Sequence, residues 1–312
     1  MQCLVISGAQ NAPTPVLMNL PKPFPGSGEV LIRVASAGVM PTELGWISTW
    51  FQKSGEVRVN TIPAHEFSGT VEALGSDVTG VKVGDEVFGM NDWYKDGAMA
   101  QYCIAPLGDV APKPRTLTHS EAASVPISSL TAWQALFDHG RLQPGERVLI
   151  HGASGGVGNF AVQLAKQHGA YVIATASAAN LDFVTQLGAD QVIDYHAQTF
   201  EEVAGLVDLV LDTVGGDTLQ RSWQVLGPGG RLVTVVSSVA SSSDERAKRA
   251  FFIVEPRRDQ LGRIASLLDT GRLKTFVNTA VPLSEAASAY ARRVKGTGRG
   301  KTVVCIGKGA DV

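Results

Sequence analysis

The stretch that decides the fold of this chain reads Arg147-Val148-Leu149-Ile150-His151-Gly152-Ala153-Ser154-Gly155-Gly156-Val157-Gly158. A short apolar run meets a cluster of glycines, and residues 159–168 then carry apolar side chains at helical spacing. This order of strand, tight turn and helix is the context in which a glycine-rich turn binds a dinucleotide. Gly155 would let the backbone approach a pyrophosphate, and Gly158 would let the helix pack closely on the strand.

One position departs from the G-x-G-x-x-G pattern, because Ala153 stands where the first glycine is expected. A glycine-rich turn can also serve a purely structural end. The context favours binding, since a second strand is predicted at 171–175 and the free N–H groups at the start of a helix hold anions. We therefore predict that the turn binds a dinucleotide cofactor through Ser154, Gly155, Gly156 and Val157.

The bulk properties bound the class of protein. A chain of 312 residues exceeds a typical single domain, so two domains are expected. The net charge of −2 provides no overall basic field for nucleic acid, and no apolar stretch approaches the roughly 20 residues that span a membrane. The three cysteines are scattered without a C-x-x-C pair, which indicates neither a disulfide framework nor a clustered zinc site. The start of the chain does not resemble a signal peptide, and we expect a cytoplasmic location.

Two patterns of secondary structure divide the chain. The first part is β-rich, with strands predicted at 29–35, 67–74, 87–90 and 101–105, a spacing typical of a compact barrel-like domain. Helical periodicity follows at 120–138. Strands then alternate with helices, as in a doubly wound parallel sheet. These strands are predicted at 147–151, 171–175, 191–193, 207–212 and 231–236, and the helices at 156–168, 181–187 and 218–226.

The last third of the chain is predicted with less regular alternation. Residues 237–248 are polar and serine-rich, and we expect a mobile loop close to the nucleotide. Helices are predicted at 260–270 and 283–295, and a closing strand at 302–306. No internal repeat is visible.

Six segments spread along the chain carry a family resemblance. They are Gly28-Glu29-Val30-Leu31-Ile32-Arg33-Val34, Pro63-Ala64-His65-Glu66-Phe67-Ser68-Gly69, Lys82-Val83-Gly84-Asp85-Glu86-Val87, Leu130-Thr131-Ala132-Trp133-Gln134-Ala135-Leu136, the glycine-rich stretch and Arg299-Gly300-Lys301. On these segments the chain resembles a zinc-free medium-chain dehydrogenase/reductase of the quinone oxidoreductase, or zeta-crystallin-like, group.

The resemblance implies a fold and an activity. The fold is α/β, with a Rossmann doubly wound parallel sheet (122–255) inserted in a GroES-like, β-rich catalytic domain made of both chain ends (1–121 and 256–312). The activity is hydride transfer from NADPH to a small-molecule electrophilic acceptor, a quinone or an α,β-unsaturated carbonyl. A homodimer is implied as well. Thr131 and Lys301 join the expected cofactor-binding residues on the same basis.

Zinc-dependent members of this superfamily hold a catalytic metal, and the resemblance places their ligands at Met40, His65 and Ile127. One histidine, a thioether and a hydrocarbon cannot form a tetrahedral zinc site. The cysteine-rich lobe of a structural zinc is also absent, because Cys103 stands alone in its region. We predict no metal. His65 and Glu66 are then interpreted as structural remnants, with a part in proton transfer as the alternative.

The choice of cofactor depends on the end of the second Rossmann strand, where an acid would bind the ribose 2′-OH of NADH. Residues 175–180 contain no acid, and Ser177, Asn180 and Tyr195 could donate hydrogen bonds to a 2′-phosphate. Related NADPH enzymes add a Lys or Arg here, where this chain has alanines. We therefore predict NADPH, preferred through hydrogen bonds and not through a dedicated basic residue. The alternative is that these polar residues are ordinary surface groups.

The sequence leaves open which residues line the acceptor pocket. Relatives carry Asn-Pro-x-Asp where this chain has residues 40–43, so a thioether replaces a polar group. The candidate lining residues are Met40, Thr42, Trp46, Trp50 and Phe51, although an aromatic cluster is equally typical of a core. No general acid is assigned. Two other functions remain open: an NADPH-binding sensor or structural protein without turnover, and a trans-enoyl thioester reductase with a tyrosine donor such as Tyr94.

Overall fold

The computed structural model describes residues 1–241 and 243–307. They form two compact units. Of the described residues, the first unit contains Met1–Ile127, Pro256–Thr297 and 301–307, and the second contains 128–241, 243–255 and Gly298–Gly300. The domain boundaries at 121/122 and 255/256 were expected from family resemblance and stay a prediction.

The elements are numbered here in chain order. The strands are β1 (Gln2–Ala9), β2 (Ala12–Asn19), β3 (Glu29–Gly38), β4 (Glu66–Leu74), β5 (Glu86–Met90), β6 (Tyr102–Pro106), β7 (Val110–Pro112), β8 (Arg147–Ile150), β9 (Tyr171–Ala176), β10 (Gln191–Asp194), β11 (Val207–Asp212), β12 (Leu226–Thr234), β13 (Val277–Pro282) and β14 (Lys301–Cys305). The α-helices are α1 (Ile47–Trp50), α2 (His119–Ala123), α3 (Pro126–Trp133), α4 (Gly156–Gln167), α5 (Leu181–Gln186), α6 (Phe200–Val203), α7 (Gly216–Ser222), α8 (Glu245–Ala250), α9 (Arg258–Asp269) and α10 (Ala286–Tyr290).

The first unit is built on mainly antiparallel sheet, with one parallel pair, β13 and β14. β1 and β2 form a hairpin, and a seven-stranded sheet has the order β13-β14-β3-β4-β5-β7, with β6 also paired to β3. The last strands of the chain join this sheet because β14 pairs antiparallel to β3. Both chain ends therefore build one β-rich unit, and the predicted fold class is confirmed.

The second unit contains a five-stranded sheet with the order β10-β9-β8-β11-β12, and all neighbouring strands are parallel. Val148, Leu149 and Ile150 of β8 are fully buried, as expected for a central parallel strand covered on both faces. Successive strands lie on one side of β8 up to β10, and β11 and β12 lie on its other side. In open parallel sheets, ligands bind beyond the carboxyl ends of the strands at such a reversal. The ends of β8 and β11 thus mark the candidate site.

The predicted helix at 120–138 is divided in the structure. Thr118 caps α2 with a reciprocal capping box, in which its hydroxyl accepts from the N–H of Glu121 and the Glu121 carboxylate accepts from the N–H of Thr118. Pro126 lacks an N–H and disfavours helical geometry in the residue before it, so a new helix begins there. The end of this second helix continues as a π-helix over Gln134–His139.

Two other predicted segments differ from the structure. The loop predicted at 237–248 is partly helical, because α8 begins at Glu245, where Asp244 caps its first N–H groups and Ala247 is buried. Ser242 lies outside the described residues. The helix predicted at 283–295 is shorter, since α10 ends at Tyr290 and Arg292 already has a φ of 56°. Among the described residues, no helix combines the length and apolarity that crossing a bilayer requires.

Candidate nucleotide site and the buried polar cluster of the first unit

The turn after β8 depends on Gly152. Its φ of +70° lies in the left-handed region, and a Cβ there would come within 2.4 Å of Thr213 Oγ1. Thr213, directly after β11, donates its hydroxyl to the carbonyl of His151 at 2.8 Å. Gly152 therefore permits both the tight turn and the close approach of two strand ends. This explains the departure at Ala153, because the glycine that the turn requires stands one position earlier.

The two later glycines of the turn differ in what they do. A Cβ at Gly158 would lie 2.2 Å from the carbonyl oxygen of Gly152, so this glycine is required for packing of the helix on the turn. A Cβ at Gly155 would have one described protein atom within 4 Å, the same carbonyl oxygen at 3.3 Å, and the φ of Gly155 is an ordinary −74°. Neither the backbone nor the packing of the chain demands glycine at position 155.

The start of α4 offers backbone donors. Gly155 is the N-cap residue, and no side chain caps the helix. Within the part of the chain that the structure describes, the N–H groups of Gly156 and Val157 make no hydrogen bond. Asn159 braces the turn from inside, because its buried amide donates to the carbonyls of Gly155 and Gly156 at 2.7 and 2.8 Å. This arrangement suits an anion, since the N–H groups and the helix dipole both favour negative charge.

The residues predicted to bind the 2′-phosphate lie close together in the second unit. The backbone N–H of Tyr195 donates to Ala176 at the end of β9, which places this exposed tyrosine beside Ser177. The amide of Asn180 donates to Ser177 Oγ at 3.3 Å. Arg299, which the sequence analysis did not connect with this loop, donates through Nε to Asn180 Oδ1 at 3.1 Å. A basic side chain therefore lies at the loop after all.

A buried network supports the strand ends below this loop. His151 Nδ1 lies 3.1 Å from Thr175 Oγ1, and its Nε2 lies 3.0 Å from Ser222 Oγ. Because the Ser222 hydroxyl donates to the carbonyl of Thr218, it accepts the proton of Nε2, and Thr175 donates to Nδ1. The imidazole is thereby held neutral. Burial is the main cause that lowers the pKa of His151 to about 4, with Arg221 acting in the same direction against Asp212.

We expect this histidine to make the chain acid-sensitive. Between about pH 6.5 and about pH 4 the unfolded chain binds a proton at His151 that the folded chain does not, so the free energy of unfolding falls as the pH drops through this window. The full loss is on the order of 3 kcal/mol. Urea unfolding of the unmodified chain and of His151→Gln across this range measures it.

The comparison with His151→Gln is needed because another group opposes the trend. Burial and the nearby Asp92 raise the pKa of Asp109 to about 6, so the folded chain binds a proton there and gains stability on acidification. Asp109 is present in both proteins, and its contribution cancels in their difference. If the glutamine variant lost stability with the same pH dependence, the assignment to His151 would be wrong.

Thr131 lies on α3 and is buried. Ser128, one helical turn earlier on the same face, approaches the turn, because its Oγ lies 3.0 Å from the Cβ that Gly156 would carry. The structure thus places the Thr131 face of α3 next to the start of α4, and a cofactor contact of Thr131 stays a prediction.

The candidate acceptor-pocket residues lie in one short segment of the first unit. Met40 precedes a 3₁₀ helix over Pro41–Gly45, and Trp46 leads into α1. Thr42 is exposed, and the Trp46 ring meets Trp93 edge-on with 5.1 Å between ring centroids. Trp50 belongs to the core, since it is buried and its indole N–H donates to the carbonyl of Leu44; Phe51 packs against the same core. Both aromatics are therefore part of the core, and a role in lining the acceptor pocket stays a prediction.

A buried polar cluster lies beside this segment. Its centre is Glu43, whose Oε1 accepts from the hydroxyl of Tyr290 at 2.5 Å and whose Oε2 lies 2.9 Å from His65 Nδ1. The N–H of Ala64 donates to both carboxylate oxygens. The other ring nitrogen of His65 donates to the carbonyl of Lys95 at 3.3 Å. Burial and the Glu43 carboxylate raise the pKa of Tyr290 well above its ordinary value.

The second buried carboxylate, Glu66, has partners of its own. Its Oε2 accepts from the N–H of Ile127 at 2.9 Å, and its Oε1 forms an ion pair with Lys301. Burial, the largest cause, raises the pKa of Glu66 against the opposing effect of the lysine. Lys301 is the counter-charge that this buried carboxylate needs, and its expected contact with the cofactor stays a prediction. His65 and Glu66 thus both have structural partners.

The residues at the positions of the zinc ligands of metal-dependent relatives do not form a ligand set. His65 is held by Glu43, Ile127 contributes a backbone N–H, and no group of three or more His, Cys, Asp or Glu side chains suited to a metal occurs within the described ranges.

Sequence reasoning missed Glu43, Tyr290 and Arg299. Glu43 carried a signal, since it stands at the acidic position of the segment that relatives write Asn-Pro-x-Asp. Tyr290 carried none, and Arg299 stood in a family segment without any sign of its partner, because each contacts a residue more than a hundred positions away.

Comparison with known proteins agrees with this architecture. Residues 26–115 match the family model described as alcohol dehydrogenase GroES-like domain, and residues 187–304 the one described as zinc-binding dehydrogenase. A probable zinc-binding oxidoreductase, mitochondrial, of Arthroderma benhamiae is 33% identical, covering 95% of this chain and 94% of its own length. The mouse NAD(P)H oxidoreductase RTN4IP1, mitochondrial, is 32% identical over 89% of this chain and 82% of its own. The solved quinone oxidoreductase of Coxiella burnetii has a TM-score of 0.85 and 30% identity, and covers 98% of this chain and 100% of its own.

The glycine-rich turn at the strand-order reversal, joined to a GroES-like unit, defines an oxidoreductase that uses a nicotinamide cofactor. The chain belongs to the medium-chain dehydrogenase/reductase family, in its quinone oxidoreductase group.

Proposed function

We propose that this chain reduces quinones or α,β-unsaturated carbonyl compounds with NADPH and without a metal. The observation that carries the proposal is the pairing of an acid-free loop after β9 with non-ligating side chains at Met40 and Ile127. Relatives named as quinone oxidoreductases and NAD(P)H oxidoreductases support the acceptor and the cofactor class.

The residues of the second unit fit a nicotinamide dinucleotide. The protein itself does not need glycine at position 155, the start of α4 presents N–H groups, and residues 175–180 carry no acid. In this arrangement Gly156 and Val157 would hold the pyrophosphate, and Ser177 would contact the ribose end. Cytoplasmic location stays part of the proposal, whereas the two relatives described above are named mitochondrial.

The chemistry follows from what the chain supplies. When bound, a reduced nicotinamide would supply the hydride that an electron-poor carbon of the acceptor takes up. The protein's share is to fix the dinucleotide at its pyrophosphate, through the α4 start, and at its adenosine ribose, through the β9 loop, so that proximity and orientation lower the barrier. A quinone or enone carries its own activating carbonyl, and no metal is needed to polarise it. No general acid is assigned, and the proton that completes the reduction comes from solvent or from a pocket hydroxyl.

A panel of acceptors tests this proposal. Oxidation of NADPH is followed spectroscopically with a benzoquinone, an enal, an enone and a trans-enoyl thioester, and again with NADH. Turnover of the quinone or enone is the expected result. Turnover of the thioester alone would favour a thioester reductase, and binding of NADPH without turnover of any acceptor would favour a sensor or structural protein.

We expect the purified chain to contain no stoichiometric zinc and to keep its activity in the presence of chelators. The reason is the ligand set, because a thioether and a hydrocarbon at the expected ligand positions leave one imidazole, itself bonded to Glu43. Elemental analysis together with activity before and after 1,10-phenanthroline checks this expectation. One tightly held equivalent of zinc would contradict it. The family model that matches residues 187–304 is described as zinc-binding dehydrogenase, so the measurement is needed.

A further inference from the structure

The loop after β9 contains no basic residue of its own. It consists of Ser177, Ala178, Ala179 and Asn180, and the two alanines are exposed. A 2′-phosphate at this position carries close to two negative charges, and hydrogen bonds from neutral side chains alone would compensate them poorly. The loop therefore needs a cation from another part of the chain.

Arg299 is held against this loop by several contacts within the second unit. Its Nε donates to Asn180 Oδ1 at 3.1 Å, and its Nη2 donates to the carbonyl of Ala179 at 3.4 Å. The guanidinium also stacks near Phe183 of α5, with 4.8 Å between its carbon and the ring centroid. A side chain fixed in this way loses little conformational entropy when it binds a ligand.

The backbone around Arg299 explains how a residue so far along the chain reaches the loop. The N–H of Gly300 donates to the carbonyl of Ser154 at 3.0 Å, and Gly300 forms a parallel bridge with Gly155. Gly298 and Gly300 have φ values of 74° and 72°, which only glycine adopts readily. Residues 298–300 thus run along the glycine-rich turn between β8 and α4, and they direct Arg299 towards the end of β9.

Arg299 also orients the neutral donors of the loop. A guanidinium has no acceptor, so Asn180 must turn its oxygen to Arg299 and its NH₂ group to Ser177 Oγ, 3.3 Å away. Ser177 Oγ accepts that hydrogen bond, and its own hydroxyl proton is then directed elsewhere. A phosphate oxygen is an acceptor that this proton suits.

We propose that Arg299 recognises the 2′-phosphate of NADPH, and that it acts with Ser177 and Asn180 as the specificity-determining group of the cofactor site. The inference rests on the proposed function for the position of the cofactor, and it replaces the expectation that no dedicated basic residue takes part. The three residues would recognise a phosphate monoester that lies beside the β9 loop.

Titration calorimetry with NADPH and NADH tests the inference on the unmodified chain and three variants. Arg299→Met keeps an apolar side chain over Phe183 but removes the charge. Arg299→Lys keeps the charge without the planar guanidinium group. Arg263→Ala is the control, because it removes an exposed charge from α9 in the first unit. We expect Arg299→Met to weaken NADPH binding by about ten- to a hundredfold and NADH binding by less than about twofold. Arg299→Lys should fall between, and Arg263→Ala should bind both cofactors as the unmodified chain does.

A salt titration gives a second readout. Loss of a charge–phosphate contact should make NADPH affinity less dependent on ionic strength in Arg299→Met, and leave the salt dependence of NADH unchanged. If Arg299→Met weakens the binding of NADPH and of NADH equally, Arg299 only holds residues 298–300 in place. If its NADPH affinity is unchanged, the phosphate binds elsewhere. Either result overturns the inference.

The two proposals fail separately in this design. If the unmodified chain binds NADPH in preference to NADH but reduces no quinone or enone, the proposed activity is wrong and the role of Arg299 is still decided by the titrations. If the chain binds NADH as tightly as NADPH, the inference is overturned whatever the turnover assay gives.

Discussion

Replacement of Gly155 with valine is expected to abolish binding of the nicotinamide cofactor while the chain stays folded. The backbone of Gly155 has dihedral angles that valine adopts, and a Cβ there would contact only the Gly152 carbonyl, at 3.3 Å, among the described atoms. The branched side chain would instead occupy the space through which a pyrophosphate approaches the start of α4. Loss of two charge-assisted N–H contacts, about 1.5–3 kcal/mol each, corresponds to roughly a hundred- to ten-thousandfold weaker binding.

Gly158→Val is the matched control for this prediction. Its Cβ would lie 2.2 Å from the Gly152 carbonyl oxygen and 2.7 Å from Ala153 Cα, both backbone atoms that cannot move aside. We therefore expect this second variant to lose stability or fail to fold, whereas Gly155→Val should lose about 1 kcal/mol as a poorer N-cap. Thermal unfolding and NADPH fluorescence titration of both variants separate the two effects. Undiminished NADPH affinity in Gly155→Val would place the cofactor elsewhere.

The parallel sheet could be predicted from sequence because its signal is local. β8 and β11 each contain three consecutive apolar residues, at 148–150 and 209–211, as strands buried on both faces require, and glycine-rich turns separate them from the helices. The hairpin strand β2 gave no such signal, since Pro13 and Pro15 argue against a strand. They are tolerated because β2 pairs with β1 alone, at the edge of a two-stranded sheet.

The candidate site was predicted where its residues are neighbours in sequence and missed where they are not. The turn from Ser154 to Val157 and the β9 loop follow single strands, so their position could be inferred from the strand order. Arg299 reaches Asn180, and Tyr290 reaches Glu43, only through the tertiary fold. Lys301 forms an ion pair with a buried glutamate that the sequence did not indicate, and its expected contact with the cofactor stays a prediction.

Replacement of Ser177 with aspartate is expected to reverse the cofactor preference. Ser177 is half-buried at the N-cap position of a 3₁₀ turn, where aspartate is equally acceptable, so folding should be preserved. The new carboxylate would repel a 2′-phosphate, offset the charge of nearby Arg299, and accept a hydrogen bond from the free 2′-OH of NADH.

Each of these effects is about tenfold or more, and together they should shift the ratio of NADPH to NADH affinity by roughly a hundred- to ten-thousandfold. Ser177→Asn is the control of matching shape without charge, and we expect it to weaken NADPH binding modestly without improving NADH binding. Titration of both cofactors against the unmodified chain and the two variants measures the shift. Continued preference of the aspartate variant for NADPH would mean that the 2′ position lies away from the β9 loop, because a carboxylate next to a phosphate in this partly buried setting cannot leave the affinity unchanged.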